Sequence, residues 1–220
     1  IFTSRFYLFN RTNDEEKINS FKIMRNKFSV LNTESKVFLL KKKKIFEKTF
    51  QLNIPEMNND KILNRLIIII NNYYYKIKNS GIPVPRMIGL NLKSKKIICR
   101  MKYEGKNLVE NKKNLLNHKN FQINVNKIFE ILKIAKKNKI KIDPHIKNFV
   151  LNNKKEIYYV DIFPPYVKQY EKLRSKFYQT IEEKKICDKN FSFFNHNILF
   201  YHFVADLIKF NKSYEKKIDY

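Results

Sequence analysis

Apolar residues recur along this chain with two different periods, and the change between them divides it. Residues 28–30, 37–40 and 45–50 are short apolar or alternating runs separated by polar positions, with Asn32, Thr33, Glu34 and Ser35 as a turn. Such runs predict the strands of an antiparallel meander. From 59 to 79 the period lengthens: Ile62, Leu66, Ile69 and Tyr73 recur every three or four positions, which predicts a helix. Asn58 or Asn59 would cap its start, Ser80-Gly81 would end it, and Pro83 and Pro85 forbid its return. Residues 87–88 and 97–101 then flank a polar turn at 91–96 and predict a second hairpin of the same sheet.

The helical period dominates afterwards. Val125, Ile128, Phe129, Leu132 and Ala135 predict a helix over 121–138. The stretches 140–142, 149–151 and 157–160 are short and apolar, with 152–155 as a turn between the last two. Pro164-Pro165 interrupts the pattern, and helices are predicted at 166–184 and at 195–210, the latter through Ile198, Tyr201, Val204 and Ile208. The order is a mostly β first half with one helix, then a mostly helical second half with one small hairpin. The boundary falls near Tyr103-Glu104-Gly105, and no long linker separates the halves, so they are expected to share a cleft.

Composition narrows the class. With 43% hydrophobic and 15% aromatic residues the chain can bury a core, which argues against disorder. The apolar run at 66–70 is far too short to span a bilayer, so no membrane span is expected. Cys99 and Cys187 are far apart and belong to no paired motif, which argues against a disulfide framework or a zinc site and makes a reducing, cytoplasmic setting the expectation. The 46 Lys and Arg outnumber the 20 Asp and Glu, a net charge of +26. A polyanion partner, such as nucleic acid, is one reading of that excess. The other is codon composition, since Lys, Asn, Ile, Tyr and Phe are all abundant and the lysines are scattered along the whole length. The scatter favours composition.

Scarce acids make the well-placed ones conspicuous. Asp143 and Asn148 stand on one loop, and Asp161 follows the apolar run at 157–160. Phosphoryl transfer requires a carboxylate near the attacking hydroxyl and oxygen ligands that hold magnesium on the phosphates, and this spacing supplies both.

The stretch Asp143-Pro144-His145-Ile146-Lys147-Asn148, with Asp161-Ile162-Phe163 after it, resembles the catalytic centre of kinase-like small-molecule phosphotransferases. His145 stands where protein kinases usually carry Lys, which tilts the likeness toward the aminoglycoside phosphotransferase and choline kinase branch. Other segments agree in order. Residues 97–108 look like that family's fifth strand and hinge, residues 81–85 resemble the segment before its fourth strand, and Lys48 resembles the lysine of its third strand. The likeness covers roughly residues 28–165 and is strongest from 82 to 163.

The resemblance implies an α+β, two-lobed, protein-kinase-like fold. Residues 1–104 would form an antiparallel N-lobe with one helix, and 105–220 a mostly helical C-lobe, together one domain. It implies an ATP- and magnesium-dependent phosphotransferase whose partners are a nucleotide and a small hydroxylated acceptor. Asp143 would be the catalytic base, and Asn148 and Asp161 the metal ligands. Lys48 would grip the phosphates, and Met101, Lys102, Tyr103 and Glu104 would seat adenine. The short stretch after Asp161 disfavours a protein substrate.

Each residue also has a plainer reading: Lys48 as a surface lysine, His145 as a scaffold of its loop, Asp161 as a turn cap, and Tyr73 to Tyr75 as helix packing. The pattern departs from the family in four places. The first strand pair has no glycine-rich loop, 61–79 offers no acid to pair with Lys48, Lys141 replaces the family's histidine, and Asp161-Ile162-Phe163 lacks the usual glycine. These departures sustain the alternative of a catalytically degenerate pseudokinase or scaffold.

Overall fold

The computed structural model describes residues 33–40, 44–52, 54–109 and 118–210. The expected strand at 28–30 lies outside these residues. The architecture is α+β. Strands β1 (Thr33–Leu40), β2 (Ile45–Leu52), β3 (Met87–Lys93) and β4 (Lys96–Lys102) form an antiparallel sheet in the order β1-β2-β4-β3. β1 takes in Thr33, Glu34 and Ser35, which the sequence assigned to a turn, and they pair with Leu52, Gln51 and Phe50. β3 and β4 likewise extend through the polar residues expected between them, leaving Ser94-Lys95 as a two-residue turn with both φ angles positive (50° and 58°). That turn twists in the sense that an antiparallel hairpin needs.

Alternation decides which face of the sheet is covered. Ile97, Cys99 and Met101 of β4 are buried, and their cross-strand partners on β2 are Phe50, Lys48 and Phe46. Lys48 therefore sits on the apolar face, as the pattern of β2 predicts. The opposite face carries the Glu47–Arg100 pair, 2.7 Å apart.

Helix α1 (Asp60–Asn79) buries Leu63, Leu66, Ile70, Tyr73, Tyr74 and Ile77 in the common core. Its cap is Asn59, whose side chain accepts from the Ile62 amide, while Asn58 donates to the Leu52 carbonyl. Gly81 follows with φ 91°, the left-handed position that closes a helix without penalty to glycine. Tyr74 ties the returning chain down, donating to the Pro85 carbonyl and accepting from the Met87 amide.

The second part begins with a small sheet of β5 (Lys106–Asn107), β6 (Phe149–Leu151) and β7 (Ile157–Tyr159). Gly105 makes its first pairing close, because a Cβ there would lie 2.1 Å from the Leu151 carbonyl oxygen. Helix α2 (His118–Lys137) ends with the Lys139 amide bonded to the Lys136 carbonyl and that of Ile140 to Ala135, with Lys139 left-handed at φ 52°. This is a Schellman closure built without glycine, and it aims the chain into the loop holding Asp143.

The helix expected over 166–184 is two. α3 (Lys168–Arg174) passes into a 3-10 turn at Ser175–Phe177, and α4 (Ile181–Phe193) starts afresh. The break is a capping arrangement: the Thr180 hydroxyl accepts from the Glu183 amide, and the Glu183 carboxylate accepts from that of Gln179. Helix α5 (Leu199–Phe210) packs Phe203 against Phe129 of α2 and Phe149 of β6. Among the described residues no helix is long and apolar enough to cross a membrane.

Candidate active site

The loop from Lys141 to Asn148 is held from three sides. Below it, the Asp143 amide donates to the Tyr159 hydroxyl at 3.1 Å, and the Tyr73 hydroxyl donates to the Lys141 carbonyl at 2.6 Å. The two phenols thus fasten the loop separately, at Asp143 and at Lys141. Burial raises both phenols' pKa well above 10, and the charges of Asp143 and Asp161 push the same way, so they remain donors.

From the side, Asp206 of α5 accepts the Ile146 amide at 2.8 Å and lies 4.0 Å from Nε2 of His145. Within the loop, the Asn148 side-chain amide donates to the Asp143 carbonyl at 3.2 Å, and the Asn148 carbonyl accepts from Val160 at 2.9 Å. That last bond fastens the loop to the strand end from which Asp161 projects.

Asp143, Asn148 and Asp161 are only 8, 7 and 8% exposed, so their charges and dipoles act on one another at low screening. Oδ1 of Asp143 accepts from both the amide and Nδ1 of His145. Burial works to raise this carboxyl, but the bonds and charge of His145 hold it below its ordinary value. Asp161 moves the other way. Burial raises its pKa and the Asp143 charge adds to that, with Lys48 opposing. Two neighbouring carboxylates are thus driven apart, and Asp143 is the one kept ionised.

Lys48 reaches this centre from the sheet. Its Nζ lies 2.7 Å from Oδ1 of Asp161 and 5.1 Å from the centre of the Phe50 ring. Phe50 in turn packs on Phe163, ring centres 4.0 Å apart, so β2 meets the segment after Asp161 twice. The residues named for adenine are placed otherwise. Met101 is buried in the core. The amides of Lys102 and Tyr103 donate to the carbonyls of Arg86 and Lys44, both at 2.9 Å. The Lys102 ammonium pairs with Glu104 at 3.0 Å.

The sequence-predicted centre of Lys48, Asp143, Asn148 and Asp161 is therefore brought together, while the predicted hinge is a strand end with two amides engaged. Tyr159 and Asp206 support the loop and carried no sequence signal of that role, since each sits at a position that helical or strand periodicity already explains. Tyr73 is core packing, as its spacing implies, and a loop support as well.

No cluster of three or more His, Cys, Asp or Glu side chains suited to a metal exists among the described residues. Asn148 and Asp161 still offer hard oxygen donors, Asn148 tied through its carbonyl to the residue before Asp161, which suits magnesium, an ion commonly bound by one or two carboxylates together with substrate phosphates. Compared with protein-family models and with curated proteins, the chain matches none.

Proposed function

We propose that this chain is an ATP-dependent phosphotransferase with a two-lobed, kinase-like arrangement, acting on a hydroxyl of a small acceptor. The observation that carries the reading is the meeting of Lys48 with Asp161 beside Asp143 and Asn148. A lysine from one sheet and a carboxylate 113 positions later converge on the loop that holds the second carboxylate. Phosphoryl transfer is mostly positioning and charge stabilisation, and these four side chains supply both.

Asp143, ionised and fixed by His145, would accept the hydrogen bond of the acceptor hydroxyl and orient it. Asn148 and Asp161 would hold magnesium, which neutralises charge on the phosphates. Lys48 would exchange Asp161 for phosphate oxygens when nucleotide enters. Replacing Asp143 with Asn would then lower turnover by about 10²–10⁴-fold, the range of a positioned acid–base group. The reading is tested by a thermal-shift titration with ATP and magnesium on the wild type and on Asp161→Ala. A saturable rise lost in the variant supports it, because a ligand that binds only the folded state stabilises it. An equal rise in both proteins, or a rise in neither, sinks it.

A second reading has its own observation. Lys48 is spent on Asp161 itself, and the amides of Lys102 and Tyr103 are bonded within the protein, so the same fold also suits a scaffold that binds nucleotide poorly. Normal folding with no nucleotide-induced shift would select it.

A further inference from the structure

Behind the loop lies a cavity that the proposed chemistry does not use. Its volume is about 780 Å³, and it runs between the C-terminal half of α1, residues 139–141 and α3. Asp143, Asn148, Asp161 and Lys48 are not among its walls. Six lysines are: Lys76, Lys139, Lys141, Lys168, Lys172 and Lys184. Two acids, Glu171 and Asp188, share the space. That six-to-two ratio is close to the whole chain's 46 to 20, so the ratio alone says nothing. The shape of the space and the engagement of Glu171 do.

Glu171 is already committed, accepting from Arg174 at 2.6 Å and from the Tyr178 hydroxyl at 2.5 Å, so the buried Arg174 offsets its charge. The lysines come from four separate segments, all exposed but the half-buried Lys141, and line one concavity together with the apolar Ile69, Ile140 and Val167. Low-dielectric walls focus the field of such charges into the cavity. A volume of this order suits a compact ligand rather than a duplex lying across the surface.

We infer that this cavity is a binding site for a small ligand carrying two or more closely spaced phosphate groups. It is distinct from the Lys48–Asp161 centre and independent of the activity proposed there. Burial draws the Lys141 ammonium below its ordinary pKa while Glu171 opposes this, and an anion seated beside it would offset the loss. Asn72, Gln169 and Ser175 add hydrogen-bonding groups along the walls. Because Tyr73 and Lys141 both line the cavity and Tyr73 holds the Lys141 carbonyl, occupancy of the cavity would also bear on the loop.

The test is calorimetric titration of the full chain with inorganic triphosphate, without magnesium, at physiological salt. Saturable binding is expected, weakened about tenfold or more in Lys76→Gln/Lys168→Gln/Lys172→Gln, since three charge contacts are lost. The variant Lys93→Gln/Lys95→Gln/Lys106→Gln removes the same charge elsewhere and should change the affinity less than about twofold. Saturable binding of triphosphate should persist in Lys48→Met, which separates this site from the proposed nucleotide centre. Flotation with vesicles bearing bisphosphorylated lipid headgroups distinguishes the sources. Flotation lost in the cavity variant assigns a membrane headgroup, and no flotation with an intact titration assigns a free phosphoester. Equal weakening by both triple variants, loss confined to Lys48→Met, or no saturable heat overturns the proposal. So does a 20-nucleotide RNA that binds while triphosphate neither binds nor displaces it.

Discussion

The ammonium of Lys48 and the carboxylate of Asp161 lie 2.7 Å apart, with side chains 16 and 10% exposed, and they join the large sheet to the segment after β7. No acid of α1 competes for the lysine over 61–79. The pair therefore has both a structural role and a chemical one, and the two can be separated by pH.

Lys48→Met should destabilise the protein most at neutral pH. Burial and the Asp143 charge already raise the pKa of Asp161, and Lys48 opposes them. Removing the lysine raises it further. A carboxyl whose folded pKa is raised costs stability as pH climbs from its unfolded value of about 3.9 through the folded one. The loss should therefore be small near pH 4 and grow toward pH 7. The ~3–5 kcal/mol typical of breaking a fully buried pair is its upper bound, since these side chains retain some solvent. Urea unfolding at three pH values measures it, and a pH-independent difference would refute the assignment.

Tyr73→Phe and Tyr159→Phe should each cost about 1–3 kcal/mol, because each leaves a buried backbone group without its partner. Tyr73→Phe orphans the Lys141 carbonyl, and Tyr159→Phe orphans the Asp143 amide. Since the two hydroxyls hold backbone groups two residues apart on one loop, the double variant should lose less than the sum. Additive losses in a double-mutant cycle would show that the two hydroxyls act separately.

Much of this organisation is legible in the sequence, and the exceptions share a cause. Helix α1 and strand β4 follow from periodicity because Leu66, Tyr73, Ile97 and Cys99 must reach one core. Asp143, Asn148 and Asp161 stand out because acids are few in so basic a chain. Turns are poorly marked, since the chain has three glycines and, among the described residues, only Gly81 of them is left-handed while the other left-handed positions fall to Lys44, Ser94, Lys95, Lys139 and Lys155. A lysine at such a position looks like any other lysine, so the Ser94-Lys95 turn and the facing ends of β3 and β4 are not legible. The break between α3 and α4 did have a signal. Thr180-Ile181-Glu182-Glu183 is the spacing of a capping box, hidden inside a stretch that reads as one helix. Asp206 could not have been found, because only the folded chain sets α5 beside Ile146.

Gly105→Ala should be costly although the backbone there is not left-handed. The added Cβ meets the Leu151 carbonyl at 2.1 Å, and the obstacle is backbone, not a flexible side chain. Either β5 parts from β6 or the strand shifts, at the ~1–3 kcal/mol usual for overpacking or more. Hydrogen exchange at the Leu108 amide, bonded to the Phe149 carbonyl at 3.0 Å, should accelerate. Unchanged protection would mean that the pairing tolerates the methyl group.

His145 predicts a decline in stability on the alkaline side of neutrality. Burial favours its neutral form, but the bond to Asp143 and the charges of Asp143 and Asp206 outweigh that and raise its pKa above 6.5. A histidine raised in this way contributes stability that is fully present below about pH 6.5 and is lost as pH rises through the folded value. Asp143, held low by the same contact, contributes stability above its unfolded value that is lost as pH falls through the depressed one. The pair is thus strongest between those limits. The difference in unfolding free energy between wild type and His145→Gln should shrink steadily as pH rises above about 6.5. Asp206→Asn should lower the His145 pKa, read from its imidazole proton shifts, because it removes one of the charges that raise it. It should also loosen the loop, since the Ile146 amide then faces a weaker acceptor. An Asp206→Asn protein whose His145 titrates as the wild type does would mean that the 4.0 Å separation carries no electrostatic coupling.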